Sequence, residues 1–198
     1  MPPSEEQLRG MAGLLLAAGG GRRMGRPKAM LDDPSGGSFV ERGLQVLRES
    51  GCDPVVVVLG AGAAQVRPLV TAADTVVEAA DWAQGQSTSL RAGLEAVAAG
   101  PADAVVVLLV DLPDVGADVV RRVREATAGE GPAALGRAAY GGAPGHPVVL
   151  GRDHWAGVLD LLAGDRGARD YLAAHPHTVV ECGDLATGAD ADTPADLS

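Results

Sequence analysis

Ten residues near the start of the chain concentrate groups that bind phosphate. Gly19-Gly20-Gly21-Arg22-Arg23-Met24-Gly25-Arg26-Pro27-Lys28 holds three consecutive glycines and four cations within seven residues. Glycine lets the backbone reach positive φ and approach a ligand closely. Successive N–H groups in such a loop form a concavity for anions. The whole chain has 16 Lys and Arg against 26 Asp and Glu, a net charge of -10. This cluster is therefore a local exception, and it suits a triphosphate. Lys28 is the single lysine among those 16 cations. A lysine retained in an arginine-rich chain marks a place for a compact ammonium rather than a planar guanidinium. The P-loop pattern is absent, since Pro27 precedes Lys28 and Ala29 follows it.

A second group is acidic. Asp111 directly follows the apolar run 105–110. A carboxylate at the end of such a strand can hold Mg²⁺ or Mn²⁺, which neutralises phosphate oxygens as a leaving group departs. Asp114 reads as the cap of the helix that follows. Behind Gly85, the side chains of Gln86, Ser87, Thr88 and Ser89 can read a base or ribose by hydrogen bonds. Ser87 or Thr88 also fits a helix cap.

The elements that must hold these groups alternate. Residues 13–18 are an apolar run entering the glycine loop, a buried strand. Residues 39–50 carry apolar side chains at 39, 40, 44 and 47, a helical spacing, and Gly51 stops them. Further strands are expected at 54–59, 75–78, 104–110, 133–140, 147–150 and 178–182, with a loop at 141–146. Further helices are expected at 63–70, broken near Pro68, from Ser87 or Thr88 to 99, and at 117–128, 154–162 and 168–174. Several strands are continuous Val and Leu runs, as in strands buried on both faces. Strands alternating with helices then predict an α/β fold with a mainly parallel sheet. Ligands of such sheets bind beyond the carboxyl ends of the strands, where the glycine loop and Asp111 fall. Residues 1–10 read as an N-terminal extension and 11–198 as one domain, with 184–198 a looser flank.

Leu16-Ala17-Ala18-Gly19 through Lys28 resembles the signature of the nucleotidyltransferases that activate sugars. More closely it resembles the molybdenum cofactor cytidylyl- and guanylyltransferases. The resemblance implies a single Rossmann-like, three-layer domain of nucleotidyltransferase type. It implies that Leu16, Ala17, Ala18, Gly19, Gly20 and Gly21 surround the nucleotide while Arg23 and Lys28 contact phosphate oxygens. Asp111-Leu112-Pro113 is similar to the group's metal-binding turn. Residues 190–197 resemble its C-terminal segment, in which Asp190 or Asp192 would give a second acidic contact to the metal. The same residues also fit Thr193 capping a short helix with Pro194 in its first turn. Residues 85–90 resemble the stretch lining the nucleotide pocket, which places Gln86, Ser87 and Ser89 there. Gly145-His146-Pro147-Val148 and residues 164–169 resemble segments beside the second substrate, implying His146, Arg166 and Arg169 at the acceptor. The resemblance spans about residues 13 to 197.

The implied reaction is nucleotidyl transfer, with Lys28, Arg23 and Asp111 as catalytic groups. Leu16-Ala17-Ala18-Gly19 fits the cytidine version of the signature, the Ala18 methyl filling space that a purine needs, so CTP is the expected donor. The expected acceptor is the phosphate of molybdenum-bound molybdopterin. Alternatives are another phosphorylated acceptor (a sugar phosphate or phospholactate), or a non-catalytic carrier delivering molybdenum cofactor to a molybdoenzyme. A Rossmann-like NAD-binding domain is disfavoured, because the chain lacks that fold's spaced acidic ribose residue after the glycine loop. The net charge of -10 argues against nucleic-acid or anionic-membrane partners. No apolar run approaches 18 residues, and the acidic start does not read as a secretory signal. Cys52 and Cys182, far apart and in no metal or redox pattern, read as reduced thiols of a cytoplasmic protein.

Overall fold

A computed structural model describes residues 10–21, 23–34, 36–193 and 196. The expected 1–9 part of the N-terminal extension, Arg22 and Pro194 lie outside the described residues. Seven strands form one sheet: β1 (Met11–Ala17), β2 (Val55–Leu59), β3 (Thr75–Glu78), β4 (Ala104–Leu109), β5 (Leu135–Tyr140), β6 (Ala143–Gly151) and β7 (Thr178–Glu181). Their order is β3-β2-β1-β4-β6-β5-β7. Among the described residues, only β6 runs against its neighbours. The helices are α1 (Phe39–Glu49), α2 (Ala63–Val66), α3 (Gln86–Ala98), α4 (Ala117–Thr127), α5 (Arg152–Leu161) and α6 (Arg169–Ala174).

Side chains alternate across a strand, so each central strand feeds two cores. On β1, Leu15 packs into a core with Phe39, Leu44 and Leu47 of α1 and Val119, Val120 and Val123 of α4. Leu14 and Leu16 face the other way, toward Leu90, Leu94 and Val97 of α3 and toward Trp155 and Leu172. Three layers result, and burying each such leucine contributes about 1.5–3 kcal/mol. Two helical glycines let the layers close. A Cβ on Gly43 would meet the Leu15 side chain at 2.8 Å, and one on Gly93 would meet Leu14 at 2.6 Å.

Three expectations change. The expected loop at 141–146 is mostly strand, because β6 begins at Ala143 and pairs antiparallel with both β4 and β5. The cap of α3 is Gly85, at φ 122°, rather than Ser87 or Thr88, and it has no side chain of its own to cap with. Asp114 does not cap α4, whose N-cap is Gly116. Its carboxylate instead accepts from the Thr187 amide (2.5 Å) and hydroxyl (2.6 Å). With Ala191 N–H bonded to Asp111 O at 2.8 Å and Ala191 buried, that contact draws the described part of the expected loose flank back onto the tips of the strands.

Candidate active site

Parallel pairing of β1 and β4 sets Leu16 beside Leu109, so the glycine loop and Asp111 emerge side by side. The loop folds on itself through Met24 N–H to Gly21 O (2.8 Å) and Lys28 N–H to Gly19 O (3.3 Å). Gly21 lies at φ 55°, and a Cβ there would collide with the Arg26 carbonyl oxygen. Only glycine closes this loop.

The loop delivers Lys28 to the carboxylates. Its ammonium donates to Asp111 Oδ2 at 2.6 Å and to Asp192 Oδ1 at 2.5 Å, from a side chain 16% exposed. Burial lowers the Lys28 pKa, but the bonds and charges of Asp111 and Asp192 outweigh it and leave it raised. The bond from Lys28 is the main reason that the Asp192 carboxyl is held below its usual value. Arg23 reaches the other Asp192 oxygen at 3.4 Å from an exposed position. Arg26 turns away to Asp32 (2.6 Å).

Asp190 stands beside this pair without a hydrogen bond or ion pair of its own among the described residues. Partial burial, then the Asp111 charge, then that of Asp192 raise its pKa, while Lys28 opposes them. Three aspartates are thus gathered, but Lys28 takes one oxygen of each of two of them. Among the described residues, no group of three or more His, Cys, Asp or Glu is arranged to hold a metal by itself. The donor set still suits a divalent cation: hard oxygens with an excess of negative charge. Mg²⁺ in particular binds through one or two carboxylates together with substrate phosphates.

Two cavities meet at Lys28 and Asp111. One, of about 420 Å³, is lined by Leu16, Ala18, Gly19, Gly20, Gln86 and Ser89 and walled by Trp82. Sequence reasoning included residue 82 in the stretch 82–90 past a strand end but gave it no role; its packing against Gly60 and Gly20 is tertiary. Ala17, Gly21 and Ser87 line neither cavity. The Ala17 side chain belongs to the core on the opposite sheet face. Ser87 is buried and its hydroxyl has no partner among the described residues. The first turn of α3 is strapped by the 163–168 loop, through Ser87 N–H to Gly164 O (2.9 Å) and Gln86 N–H to Asp165 Oδ1 (3.2 Å).

The second cavity, of about 650 Å³, extends across the sheet to His146, Arg166 and Arg169, so the three expected acceptor residues share a wall. Arg166 pairs with Asp170 at 3.1 Å. His146 is not a cation. Burial, then Arg137 and Arg169, push its pKa down to about 4, so at neutral pH it offers a neutral ring to an anion. Arg137 also lines this wall and was missed. The signal was strand parity: Arg137 shares a face with Leu135, which enters the core.

A family model for the MobA-like NTP transferase domain matches residues 13–179. A nicotine blue oxidoreductase of Paenarthrobacter nicotinovorans is 34% identical over 194 residues, 92% of each chain. A probable molybdenum cofactor guanylyltransferase of Opitutus terrae is 38% identical over 164 residues, 83% of this chain and 78% of that protein. Among solved structures, Rv0371c from Mycobacterium tuberculosis H37Rv is similar at 27% identity, 96% coverage of both chains and a TM-score of 0.78. The same protein has been solved in complex with manganese, with 27% identity, 94% and 97% coverage and a TM-score of 0.73.

Proposed function

The chain belongs to the MobA-like NTP transferase family, and from that premise we propose that it transfers a nucleoside monophosphate from an NTP to a phosphate monoester. An oxygen of the acceptor phosphate attacks the α-phosphorus in line. The bond from that phosphorus to the bridging oxygen breaks, and pyrophosphate leaves. The observation that carries this reading is the Lys28 ammonium held between Asp111 and Asp192 where the two cavities meet. The smaller cavity suits the nucleotide and the larger the acceptor.

Lys28 and Arg23 hold phosphate oxygens, and the glycine loop supplies backbone N–H donors. Asp111, with Asp190 and Asp192, holds a divalent cation, Mg²⁺ or Mn²⁺. Bound there, such an ion would supply positive charge to phosphate oxygens. Gln86 and Ser89 face the nucleotide, and His146, Arg166 and Arg169 face the acceptor. No side chain need form a covalent intermediate. Positioning and charge neutralisation are the protein's share of catalysis.

The acceptor we propose is molybdenum-bound molybdopterin, with a molybdoenzyme as the recipient of the product. The relative named a probable molybdenum cofactor guanylyltransferase supports this choice. That name favours GTP as donor, whereas the Ala18 methyl, buried in the wall of the smaller cavity, favours CTP. Two reduced, buried thiols, Cys52 and Cys182, fit a cytoplasmic location. Among the described residues no helix is long and apolar enough to cross a membrane.

The relative named an oxidoreductase covers 92% of the chain and supports a second reading, electron transfer to a small heterocycle. One experiment separates the readings. Each of four triphosphates is incubated with molybdenum cofactor, a sugar phosphate or phospholactate, with Mg²⁺ or Mn²⁺, and pyrophosphate is measured. A parallel arm follows oxidation of a reduced nicotinamide nucleotide with nicotine blue. Pyrophosphate release that needs both triphosphate and acceptor is expected. Nicotinamide oxidation without pyrophosphate would replace the proposal by the redox reading. Binding of molybdenum cofactor with neither reaction would leave a carrier.

A further inference from the structure

The larger cavity has two unlike ends. Lys28, Asp111, Asp190 and Asp192 line one, and Arg137, His146 and Arg169 line the other. The floor between them is aliphatic, made by Leu16, Val107, Leu109, Val148 and Leu150. Arg137 pairs in register with Val148, and Val148 with Val107, four residues before Asp111. At the usual strand rise and spacing, the Cα atoms of Arg137 and Asp111 are therefore roughly 16 Å apart. The backbone anchors of the two ends are thus well separated.

Among the described residues, no carboxylate pairs with Arg137 or Arg169. Arg137 Nη2 donates to Gly145 O at 3.2 Å, but its buried Nε has no partner among the described residues. An unsatisfied buried donor is costly, more so on a charged group. Arg137 makes no ion pair among the described residues, and neither does Arg169. Yet the two are close enough that the Arg169 charge joins burial, the larger cause, in lowering the Arg137 pKa. The neutral His146 ring adds no charge. Asp165, also in this cavity, is engaged by the Gln86 amide.

We propose that Arg137 and Arg169 form a two-guanidinium clamp for a second anionic group of the acceptor, at the end of the cavity away from the attacking phosphate. This rests on the proposed nucleotidyl transfer and narrows its substrate class. The acceptor is a small molecule with an apolar or heteroaromatic body that carries a second anionic group away from the attacking phosphate. Arg137 is a specificity determinant that touches the acceptor, and it takes no part in the bond changes at the α-phosphorus.

Two probes that differ by one carboxylate test this. Phenyl phosphate carries one anionic end, and para-carboxyphenyl phosphate carries two. Calorimetric titration of the full chain should show the second binding roughly 10- to 100-fold more tightly, the span expected for hydrogen bonds to a charged group. Arg137→Gln should erase that preference while CTP and GTP binding stays unchanged. Arg169→Gln, at the exposed start of α6, should reduce it and serves as the second variant if Arg137→Gln does not fold. Equal binding of both probes by the wild type overturns the clamp, as does a preference that survives both substitutions. The two proposals fail separately. Triphosphate binding and pyrophosphate release without the carboxylate preference would remove the clamp alone. A preserved preference with no triphosphate binding would remove the nucleotidyl-transfer reading.

Discussion

Replacing Lys28 with alanine tests the centre of the site. An ammonium has three N–H donors. Two are used, on Asp111 at 2.6 Å and Asp192 at 2.5 Å, which leaves the third for a phosphate oxygen. The side chain is only 16% exposed, so water replaces it poorly. Three carboxylates and one ammonium sum to -2, and without Lys28 the sum is -3, in a place that must receive a polyanion. Loss of one preorganised donor costs about 10²–10³ in rate, or about 2.7–4 kcal/mol. The expected result is a fall of that size in kcat for Lys28→Ala at saturating triphosphate and acceptor. Raising Mg²⁺ or Mn²⁺ should not rescue it, since the cation's carboxylates remain. Lys28→Arg should recover little, because a planar guanidinium cannot aim three separate donors as the ammonium does. Pyrophosphate release measures the rate, and a thermal melt confirms that each variant is folded. A folded Lys28→Ala enzyme turning over within about threefold of wild type would refute the reasoning.

Three further outcomes follow from the same geometry. The His146 pKa is depressed from 6.5 to about 4, so the folded state disfavours its protonation. That contribution to stability is full above pH 6.5 and is lost as pH falls toward 4, by up to roughly 3 kcal/mol; urea melts of His146→Gln should show a flatter fall over that window than wild type. Asp190→Asn removes a carboxylate whose pKa is raised by partial burial and by Asp111 and Asp192; at pH 7 stability should rise slightly, within about 0.5 kcal/mol, while Mn²⁺ affinity measured by titration falls about tenfold or more. Gly21→Ala must displace the Arg26 carbonyl from a residue at φ 55°; the loop opens, and triphosphate affinity should drop at least tenfold in a calorimetric titration, with a stability loss of about 1–3 kcal/mol.

Much of the fold is legible in local pattern. The continuous Val and Leu runs of β1, β2 and β4 announce strands buried on both faces, and the apolar spacing of α1 announces its helix. The structure has each of these within a residue or two of its expected ends. β6 was the harder case. Gly, Ala and Pro at 141–145 imitate a loop; 141–142 are indeed a turn, and pairing with β5 makes strand of the residues from Ala143 on. The α3 and α4 caps were misread for a related reason. Ser87, Thr88 and Asp114 have the chemistry of caps, but Gly85 and Gly116 occupy those positions and Asp114 is claimed by Thr187, 73 residues away.

The candidate site divides in the same way. A glycine loop with a unique lysine, and an aspartate just past an apolar strand, are local arrangements, and the chain order alone marks them as phosphate and cation chemistry. What the chain order could not settle is which groups meet. The contact of Lys28 with Asp192 joins residues 164 apart, and Arg137 faces His146 and Arg169 only because antiparallel β6 lies between β4 and β5. Side-chain type is a property of one position, whereas a cavity wall and a shifted pKa belong to neighbours brought together by the sheet. The composition of the chain therefore determined which chemistry was available, and the register of seven strands decided where it is assembled and which residues work together.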